Sequence, residues 1–455
     1  MILRALLTSL LLGFSLQSAT LPKDVLMIAV DDLRPDSIGV FSNNKRDLER
    51  FRKRRPDAIS LAKWFRNLGY NVQGFGKIQH DGWDLDSDWS DPPNPGRDRE
   101  MWEIVDEKNP MGPTLIADRV ACPVMQAPDV PDNHLFAGRM TDKVIAYLTQ
   151  PTSEYVSRFT AVGYRRPHLP FVAPKRYFDL YQQDKSWLGH PKIPSPEAPI
   201  LAWFNSDAYV GMSRKQNQEP MPSRPSREEA IAWNGYELRS YLGAPTHGPF
   251  NLETEYKLLQ AYAACVSYVD AQIGRLLEGL KQSGRAENTI VVLWSDHGWH
   301  LGEHSAWGKM TNYEIATRVP LIIAGLGIRP GRTKSLAELV DLYPTLCDLV
   351  GREPPQHLQG ESLVPALKKP AKLHQKVALS QYSRFQDQYM GKALQTKRYR
   401  FVEWREQSST RVVHQELYDH NKDPKESQNL ANDPKYAQLV KDLEAKLVQA
   451  FENKP

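Results

Sequence analysis

Short apolar runs alternate along this chain with longer stretches of helical period. Val25 to Val30 and Thr289 to Trp294 are almost free of polar residues and rich in β-branched and aromatic types. Each is too short for a buried helix and reads as a buried strand. Asn71 to Gly76, Arg158 to Tyr164 and Val319 to Ala324 read the same way. Between them lie helical patterns. Asp57 to Leu68 puts Ile59, Leu61, Ala62, Phe65 and Leu68 on one side and stops at Gly69. Thr141 to Leu148 continues a helix. Leu252 to Leu280 repeats apolar residues from Tyr256 to Leu277 at helical spacing, and Leu336 to Val350 forms another helix. Strands alternating with helices predict an α/β fold: a large mixed, mostly parallel sheet flanked by helices. From about residue 370 the pattern changes to short strands such as Tyr399 to Trp404, then Glu416 to Asp419 and a helix over Tyr436 to Phe451. That is a small C-terminal α+β subdomain. Residues 84–135 read as irregular loops, and the Pro-rich residues 185–250 as an inserted lid or rim.

Composition narrows the class. The 455 residues carry a formal net charge of +4 with 25% charged residues, which gives no case for nucleic acid. A mean hydropathy of -0.54 argues against a multi-span membrane protein. Arg4, the apolar Ala5 to Leu16 and the small residues Ser18-Ala19 read as a secretory signal. The expected organisation is therefore a signal peptide at 1–19, a main domain at 20–365 and the subdomain at 366–455. An exported protein with no stable membrane insertion after signal cleavage follows. Cys122, Cys265 and Cys347 permit at most one disulfide, and the pattern around Cys265 and Cys347 places them in the core. No Cys/His spacing suits zinc.

Candidate chemistry gathers where strands end. Asp296-His297-Gly298 follows the strand at 289–294, and Asp31-Asp32 follows the strand at 25–30. The carboxyl edge of an open α/β sheet is where ligands bind. Carboxylates and an imidazole together suit a hard cation. Lys77 and His80 follow the strand at 71–76, His168 lies between Pro167 and Pro170 after the strand at 158–164, and Lys309 lies a dozen residues beyond His297.

These stretches resemble the sulfatase family of the alkaline-phosphatase superfamily, and within it the iduronate-2-sulfatase branch. The matching phrases are Val30-Asp31-Asp32-Leu33-Arg34-Pro35, Gly76-Lys77-Ile78-Gln79-His80, Gly163 to Pro170, Ser295-Asp296-His297-Gly298-Trp299 with Gly302-Glu303-His304, and Trp307-Gly308-Lys309. The resemblance implies the alkaline-phosphatase-like sulfatase fold and hydrolysis of sulfuric esters on a sulfated glycan. It implies Ca²⁺ held by Asp31, Asp32, Asp296 and His297. It also implies Lys77, His168 and Lys309 on the sulfate or leaving oxygens, with His80 nearby. Such an ester gathers negative charge as it breaks, which a dication and ammonium groups stabilise.

One part of the family pattern is missing. The family's formylglycine nucleophile comes from Cys/Ser-x-Pro/Ala-x-Arg, a few dozen residues after the paired aspartates. Here Asp31-Asp32-Leu33-Arg34-Pro35 runs straight into Asp36-Ser37-Ile38-Gly39-Val40, and none of the three cysteines carries the motif. Pro222-Ser223-Arg224 has only its tail, behind Pro220. The expectation is that the motif is absent, by a deletion that fused two Leu-Arg-Pro phrases. A catalytically inactive relative that binds sulfated glycan is the alternative. A phosphoryl-transfer hydrolase is disfavoured, because Ser37 is the sole nearby hydroxyl.

Overall fold

The computed structural model describes residues 24–33, 58–78, 85–91, 103–112, 115–116, 122–151, 156–181, 193–206, 221–325, 327–374 and 377–452. The signal stretch, the basic run from Lys45 to Arg55, His80 and the junction after Pro35 lie outside the described residues.

Five strands form the main sheet: β1 (Asp24–Val30), β2 (Asn71–Gly76), β3 (Arg158–Tyr164), β4 (Thr289–Ser295) and β5 (Leu321–Ala324). Their spatial order is β5-β4-β1-β3-β2. β1 pairs in parallel with β3 and β4, β2 pairs in parallel with β3, and β5 is antiparallel to β4. The sheet is thus mixed and mostly parallel. Alternation within β1 and β4 divides the core. Leu26, Ile28, Val30, Val291 and Leu293 point to one face, and Val25, Ile290 and Val292 to the other. The first face is covered by α2 (Phe136–Thr149) and α3 (Leu252–Gln282), the second by α1 (Leu61–Asn67) and α4 (Leu342–Leu349). Both faces need cover because parallel strands are apolar on both sides.

Two helices are shorter than their periodicity predicts. Ala58 and Ile59 lie outside α1, because Ser60 caps it: its hydroxyl accepts from the Lys63 N–H at 3.1 Å and donates to Asp88 at 2.7 Å. α4 begins at Leu342 rather than Leu336, after a tight turn at Leu339–Asp341. There the Asp341 carboxylate accepts from the N–H of Glu338 and of Glu361.

The C-terminal subdomain is an antiparallel meander of β6 (Ala378–Arg384), β7 (Tyr389–Gln395), β8 (Tyr399–Glu406) and β9 (Val412–Asp419). Leu394, Phe401 and Leu417 pack against Val440, Leu443 and Leu447 of α5 (Ala437–Glu452). Buried Arg400 of β8 bonds both Glu314 of the main domain and Glu426. The described part of the insertion is a packed wall. Trp203, Phe204, Met221, Trp233 and Tyr236 form one apolar cluster with Met310, Tyr313 and Tyr418. Among the described residues no helix is long and apolar enough to cross a membrane. All three cysteines are buried, and none is joined in a disulfide.

Candidate active site

Register places the chemistry. Val30 lies level with Tyr164 on one side and with Ser295 on the other, and Gly76 lies level with Gly163. The residues that follow, Asp31, Lys77 and Asp296, therefore leave the sheet at one edge. The Asp31 N–H donates to the Tyr164 carbonyl and the Lys77 N–H to the Gly163 carbonyl, both at 2.9 Å. A Cβ on Gly163 would come within 1.6 Å of the Lys77 carbonyl oxygen, so only glycine lets the two strand ends approach.

Asp32 holds a left-handed backbone (φ 60°) that a non-glycine residue adopts only when its surroundings fix it. They do so here. The Tyr262 hydroxyl donates to the Asp32 carbonyl at 2.6 Å, the Asp32 N–H to Asp296 Oδ1 at 3.3 Å, and the Leu33 N–H to the Ser295 hydroxyl at 3.2 Å. The outcome is that both neighbouring aspartates face the site.

Seven of the eight predicted residues come together. Lys77 Nζ donates to Asp31 Oδ2 at 2.6 Å and lies 3.9 Å from Asp296 Oδ2. Lys309 Nζ donates to Asp32 Oδ1 at 3.1 Å. His297 Nδ1 is 3.3 Å from Asp32 Oδ1, and its Nε2 is 3.4 Å from Asp296 Oδ2. His168 Nε2 is 3.9 Å from Asp32 Oδ2. The eighth, His80, lies outside the described residues. A residue without any strand-end signal joins them: Glu237, buried in the insertion, brings Oε1 to 3.8 Å from His168 Nε2. Trp299 adds a floor. Its ring is fully buried, the Lys309 ammonium lies 5.6 Å over it, and the His168 ring is 6.3 Å away.

Charge in this pocket is out of balance. Four carboxylates, Asp31, Asp32, Asp296 and Glu237, meet two lysines, Lys77 and Lys309. Burial raises the carboxyl of Asp32 well above the usual range, and Asp31, Asp296 and Glu237 add to this against Lys309. Asp296 is pushed up to about 7, by burial first and then by Asp31. Asp31 goes the other way: burial opposes its charge, but the neighbouring cations, Lys77 first and then Lys309, hold it well below the usual range. For Lys309 burial works against the charge, and Asp32, Asp31, Glu237 and Asp296 outweigh it, so the ammonium stays charged. Burial holds both His168 and His297 neutral, helped at His168 by Arg165 and at both by the lysines. The Leu169 carbonyl, 2.7 Å from His168 Nδ1, can only accept, so Nδ1 carries the proton. Nε2 then presents a lone pair to the site.

The surplus of buried carboxylate fits a dication. Asp31 Oδ1 and Asp32 Oδ2 are buried and accept no hydrogen bond. Ligand atoms of Asp31, Asp32 and His297 lie within 4.8 Å of one another. Oxygen ligands about 2.3–2.6 Å from one Ca²⁺ stand no further apart than this spacing requires. Asp296 is not part of that group of three, and its Oδ2 lies 3.4 Å from His297 Nε2.

The string Cys/Ser-x-Pro/Ala-x-Arg occurs in the chain after all, once, as Ser223-Arg224-Pro225-Ser226-Arg227. That corrects the expectation that it is absent, though not its absence after the paired aspartates. Its side chains have structural partners. Ser226 caps the helix Arg227–Trp233 in a reciprocal box with Glu229. Arg227 donates to the carbonyls of Pro194, Ser195 and Ala198 and lies over the Trp203 ring.

Comparison with known proteins agrees with this fold. The family model described as Sulfatase matches residues 23–352, and the model for the C-terminal part of N-sulphoglucosamine sulphohydrolase matches residues 302–453. A sulfatase of Formosa agariphila is 30% identical over 433 residues, covering 91% of this chain and 74% of that protein. Iduronate 2-sulfatase of Mus musculus is 28% identical, covering 95% and 86%. Among solved structures, the phosphonate monoester hydrolase of Silicibacter pomeroyi superposes with a TM-score of 0.67 at 21% identity. It covers 95% of this chain and 96% of its own, a likeness of fold.

Proposed function

The chain belongs to the sulfatase family of sulfuric ester hydrolases, and from that premise we propose that its site takes the sulfate ester of a sulfated glycan with a Ca²⁺ ion in place. The observation that carries this reading is the pair of orphaned carboxylate oxygens, Asp31 Oδ1 and Asp32 Oδ2, beside two partly buried lysines, Lys77 and Lys309. Asp31, Asp32, Asp296 and His297 would hold the ion, which supplies positive charge to a bound sulfate oxygen. Two relatives point to the substrate class: iduronate 2-sulfatase and the N-sulphoglucosamine sulphohydrolase family both carry the names of sulfated sugars. A sulfated glycan that contains uronate or glucosamine fits them. The anionic oxygens of such an ester suit Lys77 and Lys309, whose ammonium groups stabilise oxygens as they gain charge. His168, neutral with Nε2 toward the site, acts there as a hydrogen-bond acceptor and as the place where a proton can be received.

The covalent route needs a nucleophile. We read the direct join of Leu33-Arg34-Pro35 to Asp36 as the loss of the segment that carries it in this family. The Ser295 hydroxyl is no substitute, since it donates to the His297 carbonyl at 2.9 Å and accepts from Leu33. The same join favours a second reading, a relative that binds sulfated glycan without cleaving it. Export follows from the signal-like amino terminus. Incubation of the purified chain with a 2-sulfated disaccharide, alongside calorimetric binding of the same ligand, separates the two readings. Release of sulfate supports the hydrolase, and calcium-dependent binding without release supports the binder. Neither release nor binding would refute both. Sequencing the gene across Val25 to Pro56 tests the deletion itself.

A further inference from the structure

A group of cations without carboxylate partners gathers where the chain leaves β5. This strand runs antiparallel to β4, away from the edge that carries Asp296. It delivers Gly325 to the start of β4, where a Cβ on that glycine would lie 3.0 Å from the Thr289 carbonyl oxygen. The Ile328 N–H donates to the Gly325 carbonyl at 3.1 Å, and the chain turns into Arg329-Pro330-Gly331-Arg332-Thr333-Lys334-Ser335. A second segment, Lys368-Lys369-Pro370-Ala371-Lys372-Leu373-His374, lies against the first. The Ser335 hydroxyl donates to the Lys372 carbonyl at 3.4 Å and accepts from the His374 N–H at 3.0 Å. A Cβ on Gly331 would lie 3.3 Å from the Pro370 ring.

Arg329, Arg332, Lys334, Lys368, Lys369 and Lys372 are all exposed. Neither segment contains Asp or Glu, and among the described residues none of the six forms an ion pair. Exposed cations elsewhere do: Lys175 with Asp179, Lys257 with Glu253, Arg398 with Asp419. Like charges held together repel, and a polyanion laid across them removes that cost. The backbone beneath them is tied down. The Ser335 N–H donates to Thr333 Oγ1 and the Lys372 N–H to the Lys369 carbonyl, both at 3.0 Å, and Pro330 and Pro370 fix their own φ. Little ordering is then needed on binding. The side chains also say which polyanion fits. Neither segment has an aromatic residue, so bases find no platform to stack on. Leu373 is the only large apolar side chain, too little for insertion among lipid headgroups. A chain of spaced sulfate and carboxylate groups needs only spaced cations.

We propose that these two segments form a second binding surface, which holds a sulfated polysaccharide chain by its anionic groups and leaves the site at the other edge of the sheet free. The choice of a sulfated glycan as the polyanion rests on the sulfate-ester reading above. The surface itself rests on the six cations and on the contacts that align them.

The test is calorimetric titration of the full chain with heparin, and with inorganic sulfate as the probe of the pocket. Double-stranded DNA, polyglutamate and phosphatidylserine vesicles serve as rival polyanions. If about four of the cations neutralise the chain, heparin affinity falls roughly a hundredfold between about 50 and 200 mM salt. The quadruple variant Arg332→Ala, Lys334→Ala, Lys369→Ala, Lys372→Ala binds heparin about a hundredfold more weakly, at some tenfold for every one or two cations removed, and binds inorganic sulfate as before. A control variant with Lys257, Lys281, Lys422 and Lys441, exposed elsewhere, all changed to Ala keeps the wild-type heparin affinity. Failure of the wild-type chain to bind heparin overturns the proposal. So does a quadruple variant that binds heparin like the wild type, or a control that loses as much. A rival polyanion bound as tightly as heparin at equal salt overturns the assignment to sulfated glycan. Heparin lost with the four cations while inorganic sulfate never binds upholds this surface and sinks the pocket reading instead.

Discussion

Glu426 is the test of how the subdomain is fastened beside the site. Its carboxylate is 2% exposed and accepts from Arg400 Nε at 2.7 Å, from the Glu314 N–H at 2.7 Å and from His420 Nε2 at 2.8 Å. Burial opposes its charge, but Arg400 and His420 outweigh burial and bring the carboxyl from 4.5 down to about 2. A difference of about 2.5 units is worth roughly 3 kcal/mol of stability above pH 4.5. The sign is that of a lowered acid. The contribution is complete above the unfolded value and is lost as pH falls toward the folded one, so that less than about half remains at pH 3. Glu426→Gln removes the charge, leaves Arg400 paired with Glu314 alone, and turns an amide N–H toward at least one of three donors. For a chain of this length about 1 kcal/mol corresponds to roughly 1 °C in Tm, so a loss of about 3 °C is expected at pH 6 to 8. Differential scanning calorimetry of both proteins from pH 3 to 8 measures it. The gap between them narrows below pH 4.5. A gap that stays constant down to pH 3, or one under about 1 °C at pH 7, refutes the reasoning.

Calcium removal lowers Tm: at a concentration one hundred times Kd the ion adds about 2.7 kcal/mol, and a chelator scan at pH 7.5 should recover that shift. Asp32→Asn abolishes the calcium-dependent shift, and it leaves Tm in chelator unchanged or higher, because it relieves crowded carboxylates; a lower Tm in chelator contradicts the charge balance argued above. Lys309→Ala weakens binding of inorganic sulfate by an order of magnitude or more, and in the pocket it strips a buried carboxylate of its partner, so a destabilisation of about 3 kcal/mol accompanies it. Gly163→Ala, with its Cβ driven into the Lys77 carbonyl, costs several kcal/mol and should be seen as loss of soluble protein or of calcium response, whereas Gly274→Ala, open on α3, raises Tm slightly.

Much of this could be read in the residues. The strands at 25–30, 71–76, 158–164 and 289–294 were legible because parallel strands covered on both faces are apolar without alternation, and Asp31, Lys77, His168 and Asp296 stand just past their ends. Lys309 needed the family phrase, since it follows a short strand pair, His300–Leu301 with Trp307–Gly308, rather than a strand of the sheet. Helix starts were less legible. Periodicity extends through Ile59, and only the hydroxyl of Ser60, bonded to Lys63 and Asp88, says where the helix begins. Glu237 was not legible at all. It sits in a Pro-rich stretch with no periodic signal, and its approach to His168 depends on amide contacts among Asn205, Asn234 and Gly235 that no local pattern announces. The Ser223 to Arg227 string shows the converse: a motif complete in letters whose arginine and second serine serve the packing of the insertion.

The level ends of β1, β2, β3 and β4 also bear on how this protein is made. Asp31 and Asp296 come from opposite parts of the chain, and they meet only when β1 has β3 on one side and β4 on the other. No segment released early from the ribosome contains more than a fraction of the proposed cation ligands. Nascent chains that end before residue 297 therefore have nothing to gain from calcium, and non-local parallel pairing is slow to form. On the calcium reading proposed above, the ion would reward only the finished sheet, and its binding would be a late checkpoint on assembly.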